Sequence, residues 1–516
     1  MKAQLISGNR IFTPQALSER SARAATGLIS LGIGHGDCIA ILIRNDSVFF
    51  EITEAAAQVG AYVVPINWHF RAEEALHIVA DSNARLLIAH ADLWPIVSTS
   101  WKFDTPVLLC ETPAEIVDAY AIQPPEQLAD NHVDAIIGEW SSWLSGFEAY
   151  SGTILPPGLG LIYTSGTTGK PKGVRRAAAD ESMRAKMASL MGQALGLVPG
   201  EVIRTAITGP IYHAAPNTYA IVASQIGELI VLQPRFDAEE LLQLIERHSL
   251  THLHMVPTMF VRLCKLPEKI RNKYDLSSLK FVAHGAAPCA PSIKQEMIKW
   301  WGPVIHEYYG GTETGGAVCH NSEEALLKPG TVGKAMPGCH IKIAGAGGKS
   351  LPSNEIGEVY IRNDSFPKFT YHNRDEGLTD AHRDDGYVTL GDIGYLDDDG
   401  YLFLCDRAKD MVISGGVNIY PSEIEAVLLE MPGVKDCAVF GIPDDEFGEA
   451  LCAVIEPEPE CPPNTEEIRA FVRRRLAGFK VPRVVEFSDN LPREDSGKIY
   501  KRLLRAPYWE AAGRAI

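Results

Sequence analysis

Long apolar runs are missing from this 516-residue chain. The longest, such as CIAILI at 38–43, fall far short of the roughly 20 residues that a bilayer-spanning helix requires. The opening MKAQLISGNRIFTPQALSER has no apolar stretch of signal-peptide length. A cytoplasmic location without a transmembrane segment is therefore expected, with peripheral membrane association left open. Metal-ligating patterns are absent too. Ten cysteines are scattered between Cys38 and Cys461; none forms C-x-x-C, and no nearby His pair completes a zinc spacing. They are expected to be free, mostly buried thiols in a reducing compartment, and any metal is expected to arrive with a substrate. Positive charge is in short supply: 48 Lys and Arg against 65 Asp and Glu give a net charge of −17. That balance argues against nucleic acid as the main partner, because a phosphate backbone needs a basic face. A small phosphate ligand needs only a local site and stays allowed. No internal repeat of 20–50 residues is visible.

What is present is an ordinary globular composition, 46% hydrophobic and 22% charged, which excludes a mostly disordered chain and supplies a large core. Residues 15–35 read as an amphipathic helix, with Leu17, Ala24, Leu28 and Leu31 on one stripe and Gly32 and Gly34 able to end it. CIAILI and AYVVPI then flank the helix-like FFEITEAAAQVG, and ELIVL, AEELLQLIERH and HLHMV repeat the pattern at 228–256. Strand–helix–strand order of this kind predicts a parallel sheet with crossover helices. After about 338 the texture changes to short alternating strands, with Asp-Gly between two of them as a hairpin signal. From 407 onward a compact unit follows, with DCAVFGI and ALCAVIEP as strands, EPEPECPP as a surface loop and EEIRAFVRRRL as a helix whose basic run is a solvated face.

The strongest local signal is Tyr163-Thr-Ser-Gly-Thr-Thr-Gly-Lys-Pro-Lys-Gly-Val174, which follows the strand-like LGLIY. Glycines and small hydroxylated residues let backbone N–H groups approach an oxyanion. Thr164, Ser165, Thr167 and Thr168 add side-chain donors and Lys170 adds charge. The reading is a polyphosphate cradle, with a ligand-free surface loop as the alternative. It is not the P-loop: Gly166 and Gly169 stand two residues apart rather than four, and Pro171 follows the lysine.

The run S-G-T-T-G-K-P-K-G resembles the phosphate loop of the adenylate-forming enzymes, which include acyl- and aryl-CoA synthetases, peptide-synthetase adenylation domains and firefly luciferase. Five further segments are similar to that superfamily in order: Gly285-Ala-Ala-Pro288; Tyr308-Tyr-Gly-Gly-Thr-Glu-Thr314; Tyr387-Val-Thr-Leu-Gly-Asp392; Asp406 through Glu425; and Leu491-Pro-Arg-Glu-Asp-Ser-Gly-Lys498. The resemblance spans nearly the whole chain. It implies an α/β fold: a large N-terminal domain of mixed and parallel sheets with flanking helices (1–406, with a β-barrel-like antiparallel subdomain at about 338–406) and a small α+β C-terminal lid domain (407–516).

The resemblance also implies the site. Nucleotide would be bound by Thr164, Ser165, Gly166, Thr167, Thr168, Gly169 and Lys170, by Gly285, Ala286 and Ala287, by Tyr309 and Gly310 against adenine, and by Asp392 and Arg407 at the ribose and phosphate. Thr312 would contact the α-phosphate and Glu313 would hold Mg²⁺, with Lys498 as the adenylation lysine. Lys409 would be the hinge, and Ser414, Gly415 and Gly416 would line the coenzyme A channel. His213, Ala214, Gly311 and Gly316 would border the acyl pocket, with His213 as a satisfied structural histidine the alternative. Two stretches depart from the common pattern: Arg175-Arg-Ala-Ala, where many members carry a segment ending in His, and Phe366-Pro-Lys-Phe-Thr-Tyr-His-Asn373, which is given no role.

The implied activity is ATP-dependent ligation of a carboxylic acid to coenzyme A through an acyl-adenylate, with ATP, Mg²⁺ and coenzyme A as cofactors. The stretch Gly209–Ser224 contains no Asp or Glu, where amino-acid adenylation domains usually place an acidic residue, so the resemblance argues for a non-amino acid. Small residues around the expected pocket leave room for a hydrophobic acid, aryl acids included. Loading of a separate carrier protein, a binding protein without catalysis, and luciferase-type oxidation are the other readings. A homodimer is left open.

Overall fold

The computed structural model describes residues 1–123, 133–154, 160–164, 171–176, 179–345, 348–373, 385–493 and 499–512. The chain divides into two compact units. The first comprises Met1–Ala286, Glu296–Ser322 and Asn363–Leu378; the second comprises Ala287–Gln295, Glu323–Arg362 and Thr379–Ile516.

The first unit holds two sheets built from βαβ crossovers. In one, Tyr62–Pro65, Cys38–Leu42, Ala84–His90, Val107–Cys110 and Ile136–Glu139 lie side by side and all run parallel. The strand Cys38–Leu42 is buried along its whole length, which is why it reads as a continuous apolar run rather than an alternating one. Helix Ser47–Val59 makes its crossover: Asp46 caps the start through its carboxylate, and Gly60, in the left-handed region, ends it. Trp94 and Trp101 pack edge to face in the core beneath this sheet. Leu161 and Tyr212 belong to the same core, so the chain entering the expected phosphate loop and the chain leading to His213 are anchored in one apolar cluster.

In the other sheet, Gln4–Ser7, Leu229–Leu232, Arg204–Ile207, His252–Met255, Phe281–His284 and Ile305–Gly311 run parallel, and Gly315–His320 turns back antiparallel beside the last. The crossover helix Ala238–His248 buries Leu241, Leu242, Leu244 and Ile245, has Asp237 as its N-cap, and carries Glu239 and Glu240 in its first turn with Arg247 and His248 in its last. The charges of Glu239, Glu240 and Arg247 so placed oppose the helix macrodipole at both ends. A three-stranded antiparallel ribbon completes the unit: Ile162–Thr164 pairs with Lys172–Arg176, and Phe369–Tyr371 pairs with the other edge of Lys172–Arg176.

In the second unit, Cys339–Ala344, Gly357–Asn363, Val388–Leu396, Leu402–Arg407 and Thr331–Ala335 follow one another across an antiparallel sheet. The expected Asp-Gly hairpin joins Val388–Leu396 to Leu402–Arg407, with the Asp397 carboxylate accepting from the Asp399 and Tyr401 amides. Farther along, the long hairpin Val434–Asp444 and Gly448–Pro457 is flanked by Val484–Phe487, running parallel. Helices Pro421–Leu429 and Thr465–Arg473 pack on one face of that hairpin through Ile424, Leu428, Ile468 and Val472. Leu504 and Tyr508 of helix Lys501–Ala511 pack on the other. Arg473, Arg474 and Arg475 are exposed, as their reading as a solvated face requires.

All ten cysteines are free thiols; five are buried, four half-buried, and Cys461 is exposed. Among the described residues no helix is long and apolar enough to cross a membrane.

Candidate active site

Three expected segments of the first unit emerge from the carboxyl ends of parallel strands of one sheet. His213 follows Arg204–Ile207, Gly285 and Ala286 follow Phe281–His284, and Tyr309–Glu313 ends Ile305–Gly311. In open α/β sheets this edge is where ligands sit. Ala286 is exposed and takes a positive φ of 68°, a strained conformation for a residue with a Cβ. The strand Ile305–Gly311 turns sharply into Gly315–His320, with a register shift at Tyr309/Gly310. A Cβ on Gly310 would fall 1.9 Å from the Gly315 carbonyl oxygen, so only glycine fits there. The Gly311 amide donates to Thr314 Oγ1 at 3.0 Å, closing a short loop that presents Thr312 and Glu313, both half-buried.

That loop is held from outside. Asn363 Nδ2 donates to the Thr314 carbonyl at 2.9 Å, and Tyr371 Oη donates to Glu313 Oε1 at 3.2 Å. Arg176, at the end of the ribbon strand, donates through Nη2 to the Thr312 carbonyl and through Nη1 to the Pro367 carbonyl at 3.0 Å. Its guanidinium lies 4.7 Å from the centre of the Phe366 ring. Burial pulls the Arg176 guanidinium below its ordinary pKa, and the Glu313 carboxylate opposes that pull.

The expected phosphate loop, Ser165–Lys170, lies outside the described residues; the residues flanking it do not. Thr164 Oγ1 reaches the Lys172 carbonyl at 3.5 Å, across the pair Thr164↔Lys172. Tyr163 Oη donates to Asp81 Oδ2 at 2.7 Å, and the His77 ring bonds the Pro171 carbonyl at 3.2 Å. Both anchors sit on helix Ala72–Asp81. Burial, and then the bond to Asp81, push the Tyr163 phenol well above its ordinary pKa, so it stays a protonated donor. His213 is the N-cap of helix Ala214–Ile226 and makes no side-chain cap bond. The turn before it is fixed by Asn45, which donates to the Gly209 carbonyl and accepts from the Ile211 amide, each at 3.0 Å. Trp68 packs edge to face on Tyr212 at 4.5 Å.

In the second unit, Asp392 and Arg407 face each other across paired strands, with Arg407 Nε 3.6 Å from Asp392 Oδ1. The Asp392 residue is buried and Arg407 exposed. Lys409 is exposed, and its carbonyl accepts from Arg505 Nη1 at 3.3 Å. Ser414, Gly415 and Gly416 form the tip of an exposed hairpin between Val412–Ser414 and Val417–Ile419.

Comparison with known proteins fits these segments. The AMP-binding enzyme model matches residues 2–368, and the AMP-binding enzyme C-terminal domain matches residues 423–498. The chain belongs to the AMP-binding enzyme family. It is 32% identical over 507 residues to the feruloyl-CoA synthase of an Amycolatopsis species, covering 96% of this chain and 94% of that protein. It is 30% identical over 522 residues to a fatty acid–[acyl-carrier-protein] ligase of Streptomyces coeruleorubidus, covering 98% and 93%. Among solved structures it superposes, with a TM-score of 0.77 and 27% identity, on the o-succinylbenzoate CoA synthetase of Bacillus subtilis in complex with the acyl-adenylate intermediate, covering 98% and 95%.

For this AMP-binding enzyme, then, the first unit brings Gly285, Ala286, Tyr309, Gly310, Gly311, Thr312, Glu313 and Gly316 onto adjoining strand ends, with Thr164 and His213–Ala214 on the chain segments just described. Ala287, Asp392, Arg407, Lys409 and Ser414–Gly416 belong to the second unit. Lys498, like Ser165–Lys170, lies outside the described residues. Among the described residues no group of three or more His, Cys, Asp or Glu could hold a metal. A lone half-buried carboxylate such as Glu313 suits Mg²⁺ all the same, since that ion takes one or two carboxylates and completes its shell with phosphates and water. Sequence reading missed Arg176, Asn363, Tyr371 and Asn45. The only signal for two of them was departure from pattern: Arg176 and Tyr371 fall in the two stretches that do not match the family.

Proposed function

We propose that the chain is an ATP-dependent carboxylate–CoA ligase that activates a hydrophobic or aryl acid as its acyl-adenylate, releases pyrophosphate, and transfers the acyl group to the thiol of coenzyme A. The observation that carries this reading is the Tyr309–Glu313 turn on the carboxyl edge of the parallel sheet, beside the Gly285–Ala286 turn. A carboxylate is a poor acyl donor at neutral pH because its leaving group would be oxide. Attack on the α-phosphorus of ATP replaces that group with AMP. The step brings an anion to a polyanion, so the protein must supply orientation and positive charge.

In this reading the Ser165–Lys170 loop and Lys498 supply charge, Tyr309 lies against adenine, Thr312 meets the α-phosphate, and Asp392 accepts from the ribose hydroxyls. Glu313 would hold Mg²⁺, an ion that would supply neutralisation of phosphate charge. Residues 407–516 act as a lid hinged at Lys409, which carries Lys498 away and brings Gly415–Gly416 to the thiol path. His213 and Ala214 border the acyl group, and the absence of acidic residues from Gly209–Ser224 supports an acid without an ammonium. The site serves in the cytoplasm.

The test is a panel of carboxylic acids scored by pyrophosphate release with and without coenzyme A. Acid-dependent release together with thioester formation is expected; no release with any hydrophobic or aryl acid overturns the reading. The carrier-protein ligase among the relatives favours one second reading. Adenylation that proceeds while coenzyme A stays unacylated, and a phosphopantetheinyl carrier protein is acylated, would select it.

A further inference from the structure

We propose that Arg176 is a positioning residue for adenylate formation, locking the Thr312–Glu313 peptide to the strand that leaves the phosphate loop, with Tyr371 as its counterpart on the facing strand. The proposal rests on the ligase reading above and assigns work to two residues in the stretches that depart from the family pattern.

The strand Lys172–Arg176 is the direct continuation of the phosphate loop, so its position sets where the loop's second end lies. Phe369–Tyr371 pairs with it in antiparallel register, Phe369 opposite Arg176 and Tyr371 opposite Val174. From this two-stranded platform two side chains reach the same turn. Arg176 donates to the Thr312 carbonyl, and Tyr371 donates to the carboxylate of the next residue, Glu313, at 3.2 Å. The remaining freedom of Arg176 is removed by its bond to Pro367 and by the Phe366 ring beneath the guanidinium. Phe366 also abuts the turn itself: a Cβ on Gly315 would lie 3.0 Å from its ring.

The strand that leaves the loop and the Thr312–Glu313 pair are thus tied through one cation. A planar fork with fixed N–H directions can bridge two carbonyls at once, which the single ammonium point of lysine cannot reproduce. Tyr371 fixes one carboxylate oxygen of Glu313 by a neutral donor. The Tyr371 bond orients Glu313 without adding a charge of its own, beside the electrostatic attraction of Arg176 for that carboxylate.

The test compares wild type with Arg176→Ala, Arg176→Lys and Tyr371→Phe. Three readouts are used: single-turnover pyrophosphate release, thioester formation from supplied acyl-adenylate, and calorimetric binding of AMP and of ATP with and without Mg²⁺. Displacement of a reacting group by about 1 Å can cost about 10²-fold. Arg176→Ala is therefore expected to slow pyrophosphate release about 10–100-fold, to weaken the Mg²⁺-dependent part of ATP binding, and to leave AMP binding and the thioester half-reaction within about twofold. Arg176→Lys is expected to recover only part of the rate, and Tyr371→Phe to lose rate in the same half-reaction alone. Equal loss in both half-reactions in step with a lowered melting temperature would mean a merely structural arginine and would overturn the proposal. So would variants matching a wild type that forms acyl-adenylate normally. A wild type that forms no acyl-adenylate with any acid would instead sink the ligase reading.

Discussion

Alanine at Gly415 and at Gly416 should separate the two half-reactions, and the structure sets the size of each effect. Just two residues join Val412–Ser414 to Val417–Ile419, with Ser414 opposite Val417. Both have positive φ, 58° at Gly415 and 79° at Gly416, the signature of a type I′ hairpin turn. A residue with a Cβ held in that region costs about 1–2 kcal/mol. At Gly416 nothing lies within 4 Å of the added methyl, so that cost is the whole expectation. At Gly415 the methyl would stand 2.9 Å from Phe447 Cδ1. Phe447 carries the Arg483 guanidinium 4.4 Å from its ring centre, so its displacement adds about 1 kcal/mol more. In a unit of this size each kcal/mol lowers the melting midpoint by about 2–4 °C. Gly415→Ala should therefore melt below Gly416→Ala, and both below wild type. If the hairpin lines the thiol path, thioester formation from supplied acyl-adenylate should fall about 10–100-fold in both variants while pyrophosphate release stays within about twofold. Thioester rates that follow adenylation rates in both variants would refute the assignment of this turn to the coenzyme A channel.

Lys498→Ala should reduce adenylate formation about 10²–10³-fold, the usual loss for a charged transition-state contact, while thioester formation from supplied acyl-adenylate is largely kept; equal loss in both would refute the lysine's role. Lys409→Pro, which stiffens the hinge, should lower thioester yield per pyrophosphate released, and unchanged coupling would count against a hinge at that position. Stability should also depend on His254, whose ring shares a 2.8 Å hydrogen bond with Tyr308 and whose pKa burial pulls down to about 4. An unfolded histidine titrates at about 6.5, so the unfolded chain takes the proton first. The contribution is constant above about pH 6.5 and is lost as pH falls toward 4, by up to about 3 kcal/mol. Urea midpoints across that window should fall less steeply in His254→Gln; an unchanged slope would refute the argument.

Local order was legible because it is written in adjacent residues. Buried parallel strands such as Cys38–Leu42 show as apolar runs, crossover helices such as Ala238–His248 show as a stripe with charged ends, and the Asp-Gly signal at 399–400 marks a true hairpin. The turn at the candidate site was legible where its motif is contiguous, as at Tyr309–Glu313. What could not be read is the support around it. Arg176 meets Thr312 across 136 positions, Tyr371 meets Glu313 across 58, and Asn45 meets the Gly209 carbonyl across 164. Periodicity within a segment carries no information on which distant strand pairs with it or in what register. The three-residue strand Phe369–Tyr371 is also too short to announce itself by pattern.

The charge balance poses the last question, since a chain of net charge −17 is proposed to gather a triphosphate and an acid anion. Fields from distant surface carboxylates fade beyond about 8 Å at physiological salt, so the sign of the site is a local matter. The run Lys170-Pro-Lys-Gly-Val-Arg-Arg176 holds four cations and no anion in seven residues. Three of these cations are seated on aromatic rings: Lys172 lies 5.7 Å from the Tyr371 centroid, Arg175 5.1 Å from Tyr62, and Arg176 4.7 Å from Phe366. A ring face holds a cation by its quadrupole, worth about 0.5–2 kcal/mol, without cancelling its charge as a carboxylate would. The ribbon strand therefore seats three cations on rings, and only Arg176 is also drawn to a carboxylate, that of Glu313; such local positive charge is the electrostatic condition that the proposed polyanion-binding loop on an acidic protein would require.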